Sequence, residues 1–142
     1  MDTVPSSVKF YGYHVKEAIF HGIDVELPEN AEFEINPKFT RTIKCNNDIW
    51  ALELGVQIDA KNNLNSEYVL PFSVRVTIEG TFKIEGYSDE DKEKIMKINA
   101  VSIMFPYLRS TLSMLMTLMN MNPVVLPTIN LVKTFEKEQN DE

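Results

Sequence analysis

One cysteine, two histidines and five glycines are spread over 142 residues, and each scarcity removes a class of function. A lone thiol, Cys45, forms no intrachain disulfide, so the even cysteine framework of a small secreted domain is excluded and a reducing cytoplasm is the expected compartment. His14 and His21 stand seven apart in a segment read as a strand, which puts them on opposite faces unless a bulge restores the phase. With no His-x-x-x-His spacing and no second cysteine the ligand set of a zinc site is missing. None of the glycines lies in a phosphate-cradling loop, and neither Gly-x-Ser-x-Gly nor Gly-x-Gly-x-x-Gly occurs. The carboxylates alternate outward along strands or gather at a helix start and in the tail, where solvation and dipole capping account for them. The reading is therefore of a protein that is not an enzyme, with no metal, no cofactor and no catalytic residue.

Cations are also in short supply, 14 against 21 acids, for a net charge of −7. Phosphate backbones and anionic membrane surfaces repel such a chain, so nucleic acid is not expected as a partner. The long apolar stretch Val101 to Met119 is interrupted by Arg109, Pro106 and a row of hydroxyls. An arginine near the centre of a span costs about 2.5 to 3.5 kcal/mol, so direct membrane insertion is not expected either. Met1 to Ser7 has no basic patch followed by an apolar core, and no signal peptide is expected. The length suits a single domain over 1–142, able to bury roughly two-thirds of its unfolded surface, with 136–142 as a flexible acidic tail.

What is present is alternation, then a helix. From Tyr68 to Ile84 every second residue is apolar or glycine, with Ser73, Arg75, Thr77, Glu79, Thr81 and Lys83 between, which is a long strand with one wet face. Trp50, Leu52, Leu54, Val56, Ile58 and Ala60 repeat the pattern, and the turn residues 61–66 predict a hairpin between the two. Phe33, Ile35, Phe39 and Ile43 form another strand, turning at Asn46-Asn47-Asp48 into Ile49. Val8 to Leu27 reads as an edge segment that starts with Val8 and Phe10, shifts phase through Tyr11 and Tyr13 and resumes at Ile23, with a bulge or crossover near Gly22, stopped by Pro28. Ser88 followed by Asp89-Glu90-Asp91 is a capped helix start, and the helix should run to about Met119 with a kink or break before Pro106. Thr134 is expected to cap a short last helix. The fold class is α+β: a four-stranded antiparallel sheet, a long kinked helix, then a short C-terminal helix.

Six of the seven methionines (Met96, Met104, Met114, Met116, Met119, Met121) fall in or just before the run 104–130. A flexible thioether suits a surface that must accept varied partner shapes. Leu108, Leu112, Leu115 and Met119 make one helical stripe, widened by Met104, Met114, Leu118 and Met121. Ser110, Ser113, Thr117 and Asn120 leave only a narrow polar seam, so part of the helix must meet another helix, another subunit or a client. Most of the aromatics are expected in the core. The rest, with the methionines, could line a groove for extended polypeptide. The groove candidates are Phe20, Phe33, Trp50, Met104, Phe105, Tyr107, Met114, Met116, Met119 and Met121. Leu108, Leu112 and Leu115 are candidates for assembly.

Met-Phe-Pro-Tyr-Leu-Arg at 104–109 resembles the Leu-Phe-Pro-Tyr-Ala-Arg signature of the SecB family of bacterial export chaperones. The segment 123–130 resembles the proline-rich stretch that follows that family's long helix. Gly80-Thr81-Phe82 with Ile84, and Ile23-Asp24-Val25-Glu26-Leu27-Pro28, fall in the same order, so the likeness spans Val8 to Val132. It implies a homotetramer built as a dimer of dimers with helices between sheets. It also implies an ATP-independent holdase that binds unfolded preproteins in hydrophobic grooves and passes them to the SecA motor ATPase. By the same likeness Val74, Val76 and Ile78 fall where such chains set subunit packing, and Glu26 matches an acidic position of the motor-docking face. Gly22 and Arg75 stand where further acids are expected there. Relatives that guard the antitoxin of a toxin–antitoxin pair would have the same groove chemistry. From another class, a hot-dog-type acyl-thioester or small-ligand protein would also wrap a sheet round an apolar helix. It would need a catalytic group such as Asp89, Glu90 or His14 near the helix start.

Overall fold

The computed structural model describes residues 5–26, 35–61, 69–121 and 131–140. The expected turn at 62–66 lies outside them, as do Phe33, Tyr68, Leu27-Pro28 and the stretch 123–130. Four antiparallel strands, β1 (Ser7–Gly22), β2 (Lys38–Asn46), β3 (Ile49–Ile58) and β4 (Phe72–Glu85), form one sheet in the order β1-β4-β3-β2. The long alternating segment becomes β4: Phe72, Val74, Val76, Ile78, Gly80, Phe82 and Ile84 are buried on one face, with the polar residues on the other. β3 pairs with it as expected, Trp50 opposite Phe82 and Val56 opposite Val76. β2 turns into β3 through Asn47-Asp48, and Asn47 takes the left-handed backbone (φ 58°) that asparagine tolerates.

β1 is an edge strand, but its irregularities are not near Gly22. The register against β4 slips between Phe10 and Tyr13 and again between Val15 and Glu17, and Gly12 supplies a φ of 94° at the first slip. Each slip inserts one residue and re-aims the side chains beyond it. Phe10, Tyr13, Val15, Ala18 and Phe20 thereby all pair with β4 residues of the buried face. The second bulge also puts His14 and His21 on the same outer face, opposite Glu79 and Ser73. Six β4 positions separate those partners, about 20 Å of strand, too far for one metal ion.

Ser88 caps the helical run, its hydroxyl accepting from the Asp91 N–H at 3.2 Å. The run consists of α1 (Asp89–Ile95), a π-helical turn at Met96–Ala100 and α2 (Val101–Leu118). Contrary to expectation α2 passes Pro106 unbroken, and the irregular turn lies upstream of it. There the Lys97 carbonyl accepts from Arg41 Nη1 of β2 at 3.3 Å, so an edge strand grips the helix at its widened turn. A last helix, α3 (Leu131–Asn140), starts three residues before Thr134, which is therefore not its cap. Leu131 and Phe135 of α3 join the core formed between the helical run and one face of the sheet.

Candidate functional site

α2 lies across the sheet with apolar residues on two faces, and this two-sidedness defines the site. Its buried row is Val101, Met104, Phe105, Leu108, Leu112 and Met116. The row advances by four at its end, through Leu108, Leu112 and Met116, rather than by the expected heptad to Leu115 and Met119. Leu115 is half-buried and Met119 is exposed. The opposite surface carries Ile103, Tyr107, Met114 and Leu118, all exposed, with Met114 66% and Leu118 78% accessible. Steps of four, seven and four residues keep these side chains on one helical face.

On the β1 flank an aromatic ladder leads from the core to this surface. Buried Phe82 stacks on Phe10 with centroids 4.9 Å apart; Phe10 lies 5.9 Å from Tyr107, and Tyr107 lies 4.6 Å from Tyr13. Tyr11, Tyr13 and Val15 are exposed beside it, on a sixteen-residue strand whose second edge has no partner among the described residues. The slip at Gly12 turns Tyr13 to the helix-facing side, opposite Gly80 and against Tyr107, yet at the strand edge both tyrosines stay exposed.

Beside the exposed apolar row run Ser102, Ser113 and Thr117, with Thr111 at its β1 side. The hydroxyls of Ser102, Thr111 and Thr117 donate to the carbonyls of Ile98, Tyr107 and Ser113 at 2.8–2.9 Å. Hydroxyls satisfied within their own helix can be covered by another helix at little desolvation cost.

The β2 flank is different. Phe105 meets Phe39 edge-on at 5.9 Å, Arg109 lies over the Phe105 ring, and Arg41 lies 4.6 Å over the ring of Phe135. The motif 104–109 therefore divides, with Phe105 serving β2 and Tyr107 serving β1. Near the helix start Ile43 and Ile95 are half-buried and Ile98 is exposed. Trp50 is buried there in β3, and its Nε1–H has no hydrogen-bond partner among the described residues, at a cost of about 1–3 kcal/mol. Asp48, in the β2–β3 turn, holds Lys92 of α1 at 3.0 Å. Chiefly through this hydrogen bond it raises the Lys92 pKa above its ordinary value. A raised ammonium pKa means that the tie is fully present through neutral pH and is lost only as pH climbs past it.

The sequence-derived candidates thus scatter. Met104, Phe105, Met116 and Trp50 are buried, Tyr107, Met114 and Met119 are exposed, and Met121 is half-buried. Phe20 stacks on Phe72 at 6.0 Å near the far end of β1. Of the assembly candidates, Val74, Val76, Ile78, Leu108 and Leu112 are filled-in core of the single chain, so their side chains offer no surface to a second copy. Glu26 is exposed after β1. Asp89 and Glu90 are exposed at the start of α1, whereas His14 lies on the sheet face turned away from the helices, so these three do not converge. Among the described residues no cluster of three or more potential metal ligands occurs, and no helix is long and apolar enough to cross a membrane.

A family model described as preprotein translocase subunit SecB matches residues 18–142. The protein-export protein SecB of Aromatoleum aromaticum is 25% identical over 133 residues, 89% of this chain and 83% of that one. That of Neisseria meningitidis is 28% identical over 115 residues, 80% and 76% of the two chains. Among solved structures, a SecB-like chaperone of Mycobacterium tuberculosis, in complex with a ChAD peptide from the HigA1 antitoxin, superposes with a TM-score of 0.68. It does so at 9% identity, over 86% of this chain and 90% of that one.

Proposed function

The chain belongs to the SecB family, and from that premise we propose that it is an ATP-independent holdase chaperone that binds non-native polypeptide for export. It binds its substrate and does not transform it. The observation that carries the mechanism is the separation of apolar surface onto two flanks of α2. On the β1 flank, an open edge strand and a helix face of exposed apolar groups and self-satisfied hydroxyls suit a second copy of the chain. Edge pairing supplies backbone hydrogen bonds, and covering Met114 and Leu118 contributes roughly 1.5–3 kcal/mol each. Assembly of this kind yields a dimer of dimers with helices between sheets. Tyr107 and Met114 then serve assembly rather than the groove.

On the β2 flank, Ile43, Ile95 and Ile98 line the approach to a strand edge that has no partner among the described residues. Backbone pairing and adaptable apolar contacts ask little of the client's sequence, as a holdase requires. Several such surfaces in one assembly gain affinity for long chains by multivalency. The test is the aggregation of a slow-folding client, chemically unfolded and diluted without nucleotide. The protein is expected to suppress aggregation at stoichiometric amounts, and no suppression by the folded, assembled protein would overturn the reading.

A second reading has one observation in its favour. Gly22 and Arg75 occupy positions where acids of a motor-docking face are expected, leaving Glu26 with Asp24 nearby. A cytoplasmic chaperone that guards an antitoxin has no need of SecA. Measured affinity for SecA, set against affinity for a candidate antitoxin, separates the two.

A further inference from the structure

The widened turn Met96–Ala100 keeps one row of the helical run on the sheet. Met96, Ala100, Met104, Leu108, Leu112 and Met116 are all buried, at steps of four. In an α-helix each such step overshoots a full turn by about 40°, so five steps would carry Met96 roughly 200° round from Met116. A π-helical turn holds one residue more than an α turn and takes back about 100° of that drift. Relaxed to a plain α-helix with α2 in place, the run would fill each upstream site with the residue one later. Lys97 would enter the buried site of Met96, and Glu93 would face Asp48 where Lys92 now stands. A lysine in the core and a pair of like charges block that register.

The turn is held from outside the run. The Arg41 guanidinium of β2 donates to the Lys97 carbonyl at 3.3 Å and lies 4.6 Å over the Phe135 ring of α3. One side chain therefore touches both the widened turn and the C-terminal helix. No side chain of α1 is fully buried, and Asp48 ties α1 to the β2–β3 turn through Lys92. With so little packing of its own, α1 depends for its place on the turn that follows it.

We propose that Arg41 couples the two ends of the helical layer, so that when α3 leaves its seat the π-helical turn loses its grip on β2 and α1 opens with it. Without the ring of Phe135 the guanidinium loses a cation–π attraction and gains access to water, and its hydrogen bond to the Lys97 carbonyl weakens. The α register offers no resting place, so the turn unpins together with α1 instead of settling one residue along. Ile43, Ile95 and Ile98 border the part that opens, which widens the β2-flank approach; that consequence alone rests on the function proposed above.

The test is amide hydrogen exchange in the client-free full chain, which separates the coupling from what the protein holds. In the parent, the amides of 92–101 and of α3 are expected to follow one dependence on low denaturant and to exchange faster than those of β4. Two separate dependences would overturn the proposal, and this arm needs no substitution. Phe135→Leu, which keeps apolar bulk but no ring, should speed exchange at 96–101 about fivefold. Arg41→Gln should speed it about tenfold, and Phe135→Leu added to Arg41→Gln should then contribute less than about twofold. Phe20→Leu, which loses its own stack on Phe72 near the far end of β1, should leave these amides within about twofold of the parent. Additive effects at Arg41 and Phe135, or equal acceleration by Phe20→Leu, would show that only general stability has changed and would overturn the coupling.

Discussion

Gly80 opposes Tyr13 across the β1–β4 pair, and a Cβ there would strike the Met104 sulfur, come within 2.7 Å of Met104 Cε and within 3.3 Å of the Phe10 ring. Its missing side chain is the space in which Met104 packs and from which the Phe82–Phe10–Tyr107–Tyr13 ladder rises. Gly80→Val should therefore cost about 1–3 kcal/mol by overpacking. Met104→Ala alone should also destabilise, by leaving a cavity. The two together should cost less than their sum, because the atoms that collide are gone. Urea melts of the four members of the cycle measure this, and additive costs would show that Gly80 and Met104 are not competing for one space.

Trp50 makes the complementary case. Trp50→Phe removes a buried donor with no partner among the described residues, so the lost packing is offset and stability should change by no more than about 1 kcal/mol. Because that N–H faces no solvent, the same variant should hold clients as the parent does, and a loss of holding with unchanged sedimentation would show that the indole is uncovered when a client binds.

At the scale of elements, legibility in the sequence followed the number of wet faces. β4 could be read almost residue by residue because one face is core and the other polar, and β3 because it pairs with β4 in register. β1 was legible as an edge strand whose phase shifts through Tyr11 and Tyr13, but no further, since a second bulge after Val15 reverses the parity again with no residue to mark it. α2 defeated the choice of face for another reason. Apolar side chains cover nearly its whole circumference, so periodicity cannot say which row the sheet takes. The sheet took Leu108, Leu112 and Met116, and left Met114 and Leu118 in water. The family signature was visible as a string, but not its division, with Phe105 turned to Phe39 and Tyr107 to Tyr13.

For the whole molecule, the consequence is a chain with three surfaces of different chemistry. Behind the sheet is a face of paired charges, on the β1 flank an apolar face and on the β2 flank a narrower apolar approach, each beside a strand edge without a partner among the described residues. An exposed apolar row such as Ile103, Tyr107, Met114 and Leu118 marks an interaction surface, and self-association covers it most simply. Replacing Met114 and Leu118 together by glutamate places two charges in that contact. Because both side chains are exposed in the single chain, the fold itself should lose less than about 1 kcal/mol. Assembly should instead shift to smaller species in sedimentation velocity, and each dissociated chain should still bind a short client fragment at the β2 flank. Long clients should be held markedly less well, since the gain from several linked sites is lost. An unchanged sedimentation coefficient would mean that this face is not the contact between copies, and loss of short-fragment binding with assembly intact would return Met114 to the client groove.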